Sequence, residues 1–111
     1  MEQIKRLKYF IDGEWVESKT EKYMPVYNPS TGEVIAETPC CTSEEVEAAI
    51  ASAKAAFPAW SNTPVMKRVQ VLYKFRELLI EHMDELTVLC ATEHGKVLLE
   101  VYGEILKVKE P

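Results

Sequence analysis

The sequence predicts an α+β chain in which two β-hairpins precede about three helices, all within one domain over residues 1–111. Two observations place the hairpins. Asp12-Gly13 stands between short apolar runs, and Asn28-Pro29-Ser30-Thr31-Gly32 stands between two longer ones. A third places the helices: from Val46 onward the apolar residues recur at helical spacing instead of alternating.

The hairpins occupy residues 9–38. Tyr9-Phe10-Ile11 and Glu14-Trp15-Val16 pair across Asp12-Gly13, because both turn positions tolerate positive φ. Residues 18–22 are polar and read as a loop. Residues 23–27 and 33–38 pair across the Asn-Pro-Ser-Thr-Gly turn. In Glu33-Val34-Ile35-Ala36-Glu37-Thr38 the alternation is loose, so this strand is expected to be more covered than exposed. Pro39 ends it.

A helix follows over 42–60. Thr42 with Glu45 three residues on forms a capping box, in which the hydroxyl and the carboxylate each accept from the other residue's amide. Val46, Ala49, Ile50, Ala53, Phe57 and Trp60 make one apolar stripe, and Pro58 ends or bends the helix in its last turn. Thr63-Pro64 repeats the start signal, with Thr63 as cap and Pro64 at the first helical position. The long helix over 63–94 carries two stripes. One runs through Val65, Val69, Leu72, Leu79, Met83 and Leu86, the other through Val71, Phe75 and Leu78. A kink is expected near His82-Met83, with Asp84 capping the fresh start. Gly95 serves as the C-cap, and a last helix over 97–109 places Leu98, Val101, Ile105 and Val108 on one side.

Composition excludes several functions. A hydrophobic fraction of 47% with 4 Gly and 6 Pro describes a globular chain, and 111 residues allow one domain. The net charge of −5 argues against nucleic acid or an anionic membrane as partner. No apolar run approaches the roughly 18 residues of a membrane span. Met1-Glu2-Gln3-Ile4-Lys5-Arg6-Leu7 lacks the apolar core of a secretion signal, so the expected location is the cytoplasm.

Three cysteines, Cys40, Cys41 and Cys90, are an odd count that fits a reducing compartment. The neighbours Cys40 and Cys41 could bridge only across a distorted peptide. All three are expected to be plain buried or half-buried thiols.

The motifs that invite chemistry have simpler readings. The turn at 28–32 offers amides and hydroxyls, but a strand follows it where a phosphate site needs a helix N-terminus. Gly95-Lys96 lacks the upstream glycine and the following Ser or Thr of a nucleotide-binding loop. His82 and His94 lie among acids without the one-turn spacing of a zinc pair, and no cysteine joins them.

The stretch Val26-Tyr27-Asn28-Pro29-Ser30-Thr31-Gly32-Glu33-Val34-Ile35-Ala36, followed by Ala55-Ala56-Phe57-Pro58-Ala59-Trp60, resembles the opening segment of the NAD(P)-dependent aldehyde dehydrogenase superfamily. The resemblance runs from Tyr9-Phe10-Ile11-Asp12-Gly13-Glu14-Trp15-Val16 to Glu93-His94-Gly95-Lys96, nearly the whole chain, and is nearest the methylmalonate-semialdehyde dehydrogenase branch. It implies the N-terminal part of an α/β cofactor domain, its hairpins at the edge and its helices over the sheet.

The chemistry implied is oxidation of an aldehyde through a thiohemiacetal on cysteine, with NAD as hydride acceptor and coenzyme A as an acyl acceptor. The family's nucleophile sits in a glycine-rich loop behind Gly-Gln, and none of the three cysteines here has that setting. The oxyanion asparagine, the cofactor lysine and the glycine turn of the dinucleotide fold have no counterpart either. No catalytic, cofactor-binding or metal residue is therefore assigned. Gly95 resembles the family's helix cap, with His94 in place of the usual asparagine. Glu93 resembles an acidic ligand that some members direct at a monovalent cation together with backbone carbonyls, here those of Val26 and Tyr27. The remaining ligand comes from later in the family sequence.

The resemblance thus makes the chain the N-terminal portion of a semialdehyde dehydrogenase, a truncated or isolated segment inactive alone, completed in the enzyme by the remainder. Its expected partners are that remainder or a second copy meeting it through apolar helix faces. The alternative is a stand-alone helical interaction and dimerisation module with no enzymatic role.

Overall fold

Asp12 and Gly13 both adopt positive φ, 51° and 78°, the geometry of a two-residue turn whose twist matches its strands. They join β2 (Tyr9–Ile11) to β3 (Glu14–Val16) in register Tyr9↔Val16, Phe10↔Trp15 and Ile11↔Glu14. Phe10 and Trp15 face each other with ring centroids 5.0 Å apart. The computed structural model describes residues 4–109. Those residues divide into two compact units: those up to Tyr27 together with Glu33–Asn62, and Asn28–Gly32 together with those from Thr63 on.

In the first unit a second hairpin pairs β4 (Tyr23–Tyr27) with β5 (Val34–Pro39). The register steps from Val26↔Ala36 to Tyr27↔Val34, passing over Ile35, an irregularity of the bulge kind. Val34 to Glu37 are half-buried, in line with the loose alternation of that strand. Pro39 lies within β5, paired with Tyr23, rather than beyond its end. A proline is tolerated at a strand terminus, where its missing N–H breaks no interior rung of the ladder.

One strand was not legible in the sequence. β1 (Lys5–Arg6) pairs in parallel with β5, Lys5↔Ala36 and Arg6↔Glu37, giving a sheet of order β1-β5-β4. Two residues carry no periodicity, and the Arg6 side chain signals its place only in three dimensions. It lies over the Tyr23 ring at 4.5 Å and 3.8 Å from the Glu37 carboxylate.

Helix α1 (Ser43–Ser61) completes this unit, and both halves of its capping box form. The Glu45 amide donates to Thr42 Oγ1 at 3.3 Å, and the Thr42 amide donates to Glu45 Oε1 at 2.9 Å. The helix ends within a turn of Pro58, whose carbonyl accepts from the Asn62 amide. The Ser52 hydroxyl donates to Asp12 Oδ1, tying the helix to the tip of the first hairpin.

The second unit begins with the turn 28–32. The Asn28 side chain accepts from the Ser30 amide and its carbonyl from the Gly32 amide, an Asx turn inside a wider one. Helix α2 (Val65–Glu81) starts one residue later than the sequence suggests. Pro64, not Thr63, is the N-cap, with ψ at 142° and no side-chain cap bond. Its carbonyl accepts from Lys67 and Arg68, and Arg68 Nε in turn donates to the Thr63 carbonyl at 3.0 Å.

The kink falls at His82, as expected, but Asp84 does not cap the restart. His82 itself leaves helical geometry (φ −103°, ψ 18°) while its amide still reaches Leu78 and its carbonyl accepts from Leu86. The backbone thus runs from α2 into α3 (Met83–His94) with one residue between them, leaving Asp84 and Glu85 in the first turn, where the helix dipole favours acids. Gly95 closes α3 in the left-handed region (φ 74°), its amide bonded to Ala91 at 2.9 Å. Helix α4 (Leu98–Lys109) then folds back on α3. Met83, Val101 and Ile105 form the buried cluster, with Leu86, Ala91 and Leu106 packed against it.

Candidate functional site

The densest polar constellation among the described residues gathers on Glu45. Its carboxylate accepts from the Ser18 hydroxyl at 2.6 Å, the Lys19 amide at 3.1 Å and the Thr42 amide at 2.9 Å. These donors, the Ser18 hydroxyl foremost, hold its carboxyl far below the usual range, at about 2. Burial, followed by the charge of Glu45, pushes the Tyr9 hydroxyl upward. A carboxylate so firmly ionised and so fully bonded is a poor proton carrier. Its role is to tie the 18–22 loop, the first hairpin and the start of α1 together. The capping half of this role was legible from Thr42 and Glu45. Ser18 and Lys19, more than twenty residues upstream, left no signal.

The second cluster is the seat of the Asn-Pro turn. A methyl group placed on Gly95 would come within 2.9 Å of Pro29 Cγ and 3.6 Å of Ser30 Oγ. The glycine behind α3 thus serves two needs at once, a left-handed backbone and close approach of the turn. Lys96 donates to Glu104 on α4, which raises the lysine's pKa and lowers that of the carboxyl.

The residues that invited chemistry are dispersed. Cys40 and Cys41 are half-buried at the entry to α1, whereas Cys90 is exposed on α3, contrary to the expectation of a covered thiol. Position 90 follows Met83 and Thr87, the two buried residues of α3, on one helical face, so helical period alone does not account for its exposure. His82 Nδ1 lies 3.1 Å from Glu85 Oε2 on the surface. Glu93 lies on α3 in the second unit, Val26 and Tyr27 on β4 in the first. Among the described residues no three acids, histidines or cysteines gather to hold a metal.

A dinucleotide needs a glycine turn between a parallel strand and a helix N-terminus. Gly13 and Gly32 lie in turns between antiparallel strands, Gly95 follows a helix, and Gly103 is inside one. The parallel pair β1 and β5 is separated in sequence by three strands and no helix. None of these four glycines stands in such a turn.

The surface is more informative. Val46, Ile50, Phe57 and Trp60 on α1 are exposed, as are Val71, Leu72, Phe75 and Leu78 on α2. A continuous apolar groove of about 400 Å³ runs along α2 and the end of α4, lined by Val69, Leu72, Tyr73, Phe75, Leu79 and Val108. Faces this apolar normally meet another element. No helix among the described residues is long and apolar enough to cross a membrane.

The chain is similar to part of longer known proteins. A malonate-semialdehyde dehydrogenase from Oceanobacillus iheyensis is 49% identical over 102 residues, 92% of this chain and 21% of that protein. The crystal structure of a methylmalonate-semialdehyde dehydrogenase from Oceanimonas doudoroffii superposes with a TM-score of 0.89 at 36% identity, over 96% of this chain and 22% of that one. One described as a methylmalonate-semialdehyde dehydrogenase from Sinorhizobium meliloti, complexed with NAD, gives 0.88 at 35% identity, with the same shares covered. The chain therefore spans about a fifth of the length of these relatives, corresponding to their N-terminal part. The model of the aldehyde dehydrogenase family matches residues 15–110. From Trp15 in the first hairpin through all four helices, the chain belongs to the aldehyde dehydrogenase family.

Proposed function

We propose that this chain is a structural part of the cofactor domain of a cytoplasmic semialdehyde dehydrogenase of the malonate or methylmalonate type, and that it is inactive alone. The observation that carries this reading is the near one-half identity to a malonate-semialdehyde dehydrogenase across almost the whole chain. In the complete enzyme NAD supplies the hydride acceptor, and coenzyme A takes the acyl group. The nucleophile, the oxyanion donor and the cofactor turn belong to the part of such an enzyme that this sequence does not contain. The chain's own residues contribute a scaffold. The Glu45 knot holds the hairpin to α1, the Gly95 seat holds the Asn-Pro turn, and the exposed faces of α1 and α2 receive the rest of the domain.

The test is an exchange. This chain, put in place of the matching segment of the Oceanobacillus enzyme, is expected to leave NAD-dependent oxidation of malonate semialdehyde within about tenfold of the parent. A soluble, folded hybrid without activity overturns the reading. The 111-residue chain alone is expected to show no saturable heat with NAD and no aldehyde-dependent NADH.

The exposure of Val71, Phe75 and Leu78 also favours a second reading, a helical association module without enzymatic role. A hybrid that folds but is inactive, beside an isolated chain that forms a discrete dimer, selects that reading instead.

A further inference from the structure

We draw no further inference here: the strongest candidate, the apolar groove along α2 and the end of α4 lined by Leu72, Tyr73, Phe75, Leu79 and Val108, carries nothing beyond the proposed function because nothing in the structure shows what covers it.

Discussion

Three glycines differ in what a methyl group would meet, and their substitutions should rank accordingly. At Gly95 an alanine must adopt φ of 74° and also press on Pro29 from 2.9 Å. At Gly13 the φ of 78° is as demanding, but the space is open. The left-handed region costs an alanine roughly 1–2 kcal/mol, so Gly13→Ala is expected to lose about that much and Gly95→Ala clearly more. Gly103 lies inside α4 with nothing near its missing Cβ, so Gly103→Ala is expected to gain up to about 1 kcal/mol through helix propensity. Urea unfolding of the three variants checks the order, and a Gly95→Ala no worse than Gly13→Ala contradicts the close seat of the turn. Gly13 and Gly95 were legible in the sequence as a turn and a cap. The approach of Pro29, sixty-six positions away from Gly95, was not.

Glu45 is the second residue whose environment makes a measurable difference. Its carboxyl sits at about 2 in the folded chain against an ordinary 4.5. A depressed folded value means the stabilisation is complete above the unfolded pKa and is lost as pH falls from about 4.5 toward 2. Glu45→Gln keeps the shape but cannot ionise. It is expected to lower the melting temperature at pH 7 and to reduce the proton uptake on unfolding between pH 4.5 and 2 by about one proton. An unchanged slope in that window means the hydrogen bonds from Ser18, Lys19 and Thr42 do not bind the carboxylate in solution.

At the scale of elements, helix positions followed from period and caps, and the deviations share one cause. Thr63 and Asp84 have the side chains of good caps, yet Pro64 and His82 occupy those places. In both cases the backbone finds its partners without a capping side chain, through Pro64 O to Lys67 and Arg68 and through His82 O to Leu86. Cap propensity is a local preference of about 1 kcal/mol, and chain continuity easily outweighs it. The contact between α3 and α4 depends on Val101, 1% exposed against Met83 and Ile105. Val101→Ala removes two buried carbons and is expected to cost about 2 kcal/mol including the cavity. Leu99→Ala in the same helix, at an exposed position, should cost a few tenths at most. Helical circular dichroism followed through thermal unfolding separates the two. Equal effects would mean that α4 does not dock through Val101.

For the whole molecule, only three hydrophobic residues among those described are buried, against many large exposed ones. Val71, Phe75 and Leu78 remain about half exposed, which forgoes roughly half of the 1.5–3 kcal/mol that full burial of each supplies, in sum a sizeable share of the roughly 5–15 kcal/mol that stabilises a small domain. The isolated chain is therefore expected to associate as its concentration rises, or to melt at low temperature with little cooperativity. Sedimentation over a hundredfold concentration range decides it. A monomer at every concentration with a sharp, high melting transition shows that the chain closes its own core, and the scaffold reading then fails.

The order of residues alone accounts for both hairpin turns, the capping box, the kink near His82 and the αL stop at Gly95. Each depends on residues within a few positions of one another, where backbone preference and short-range hydrogen bonds decide. It also carried the family, through turn and helix residues in a fixed order. The parallel pairing of Lys5 and Arg6 with β5, the gathering of Ser18 and Lys19 on Glu45 and the seating of Pro29 against Gly95 arise only in the folded chain. Those contacts join positions far apart in the chain, and no period or propensity encodes which distant partner a side chain meets.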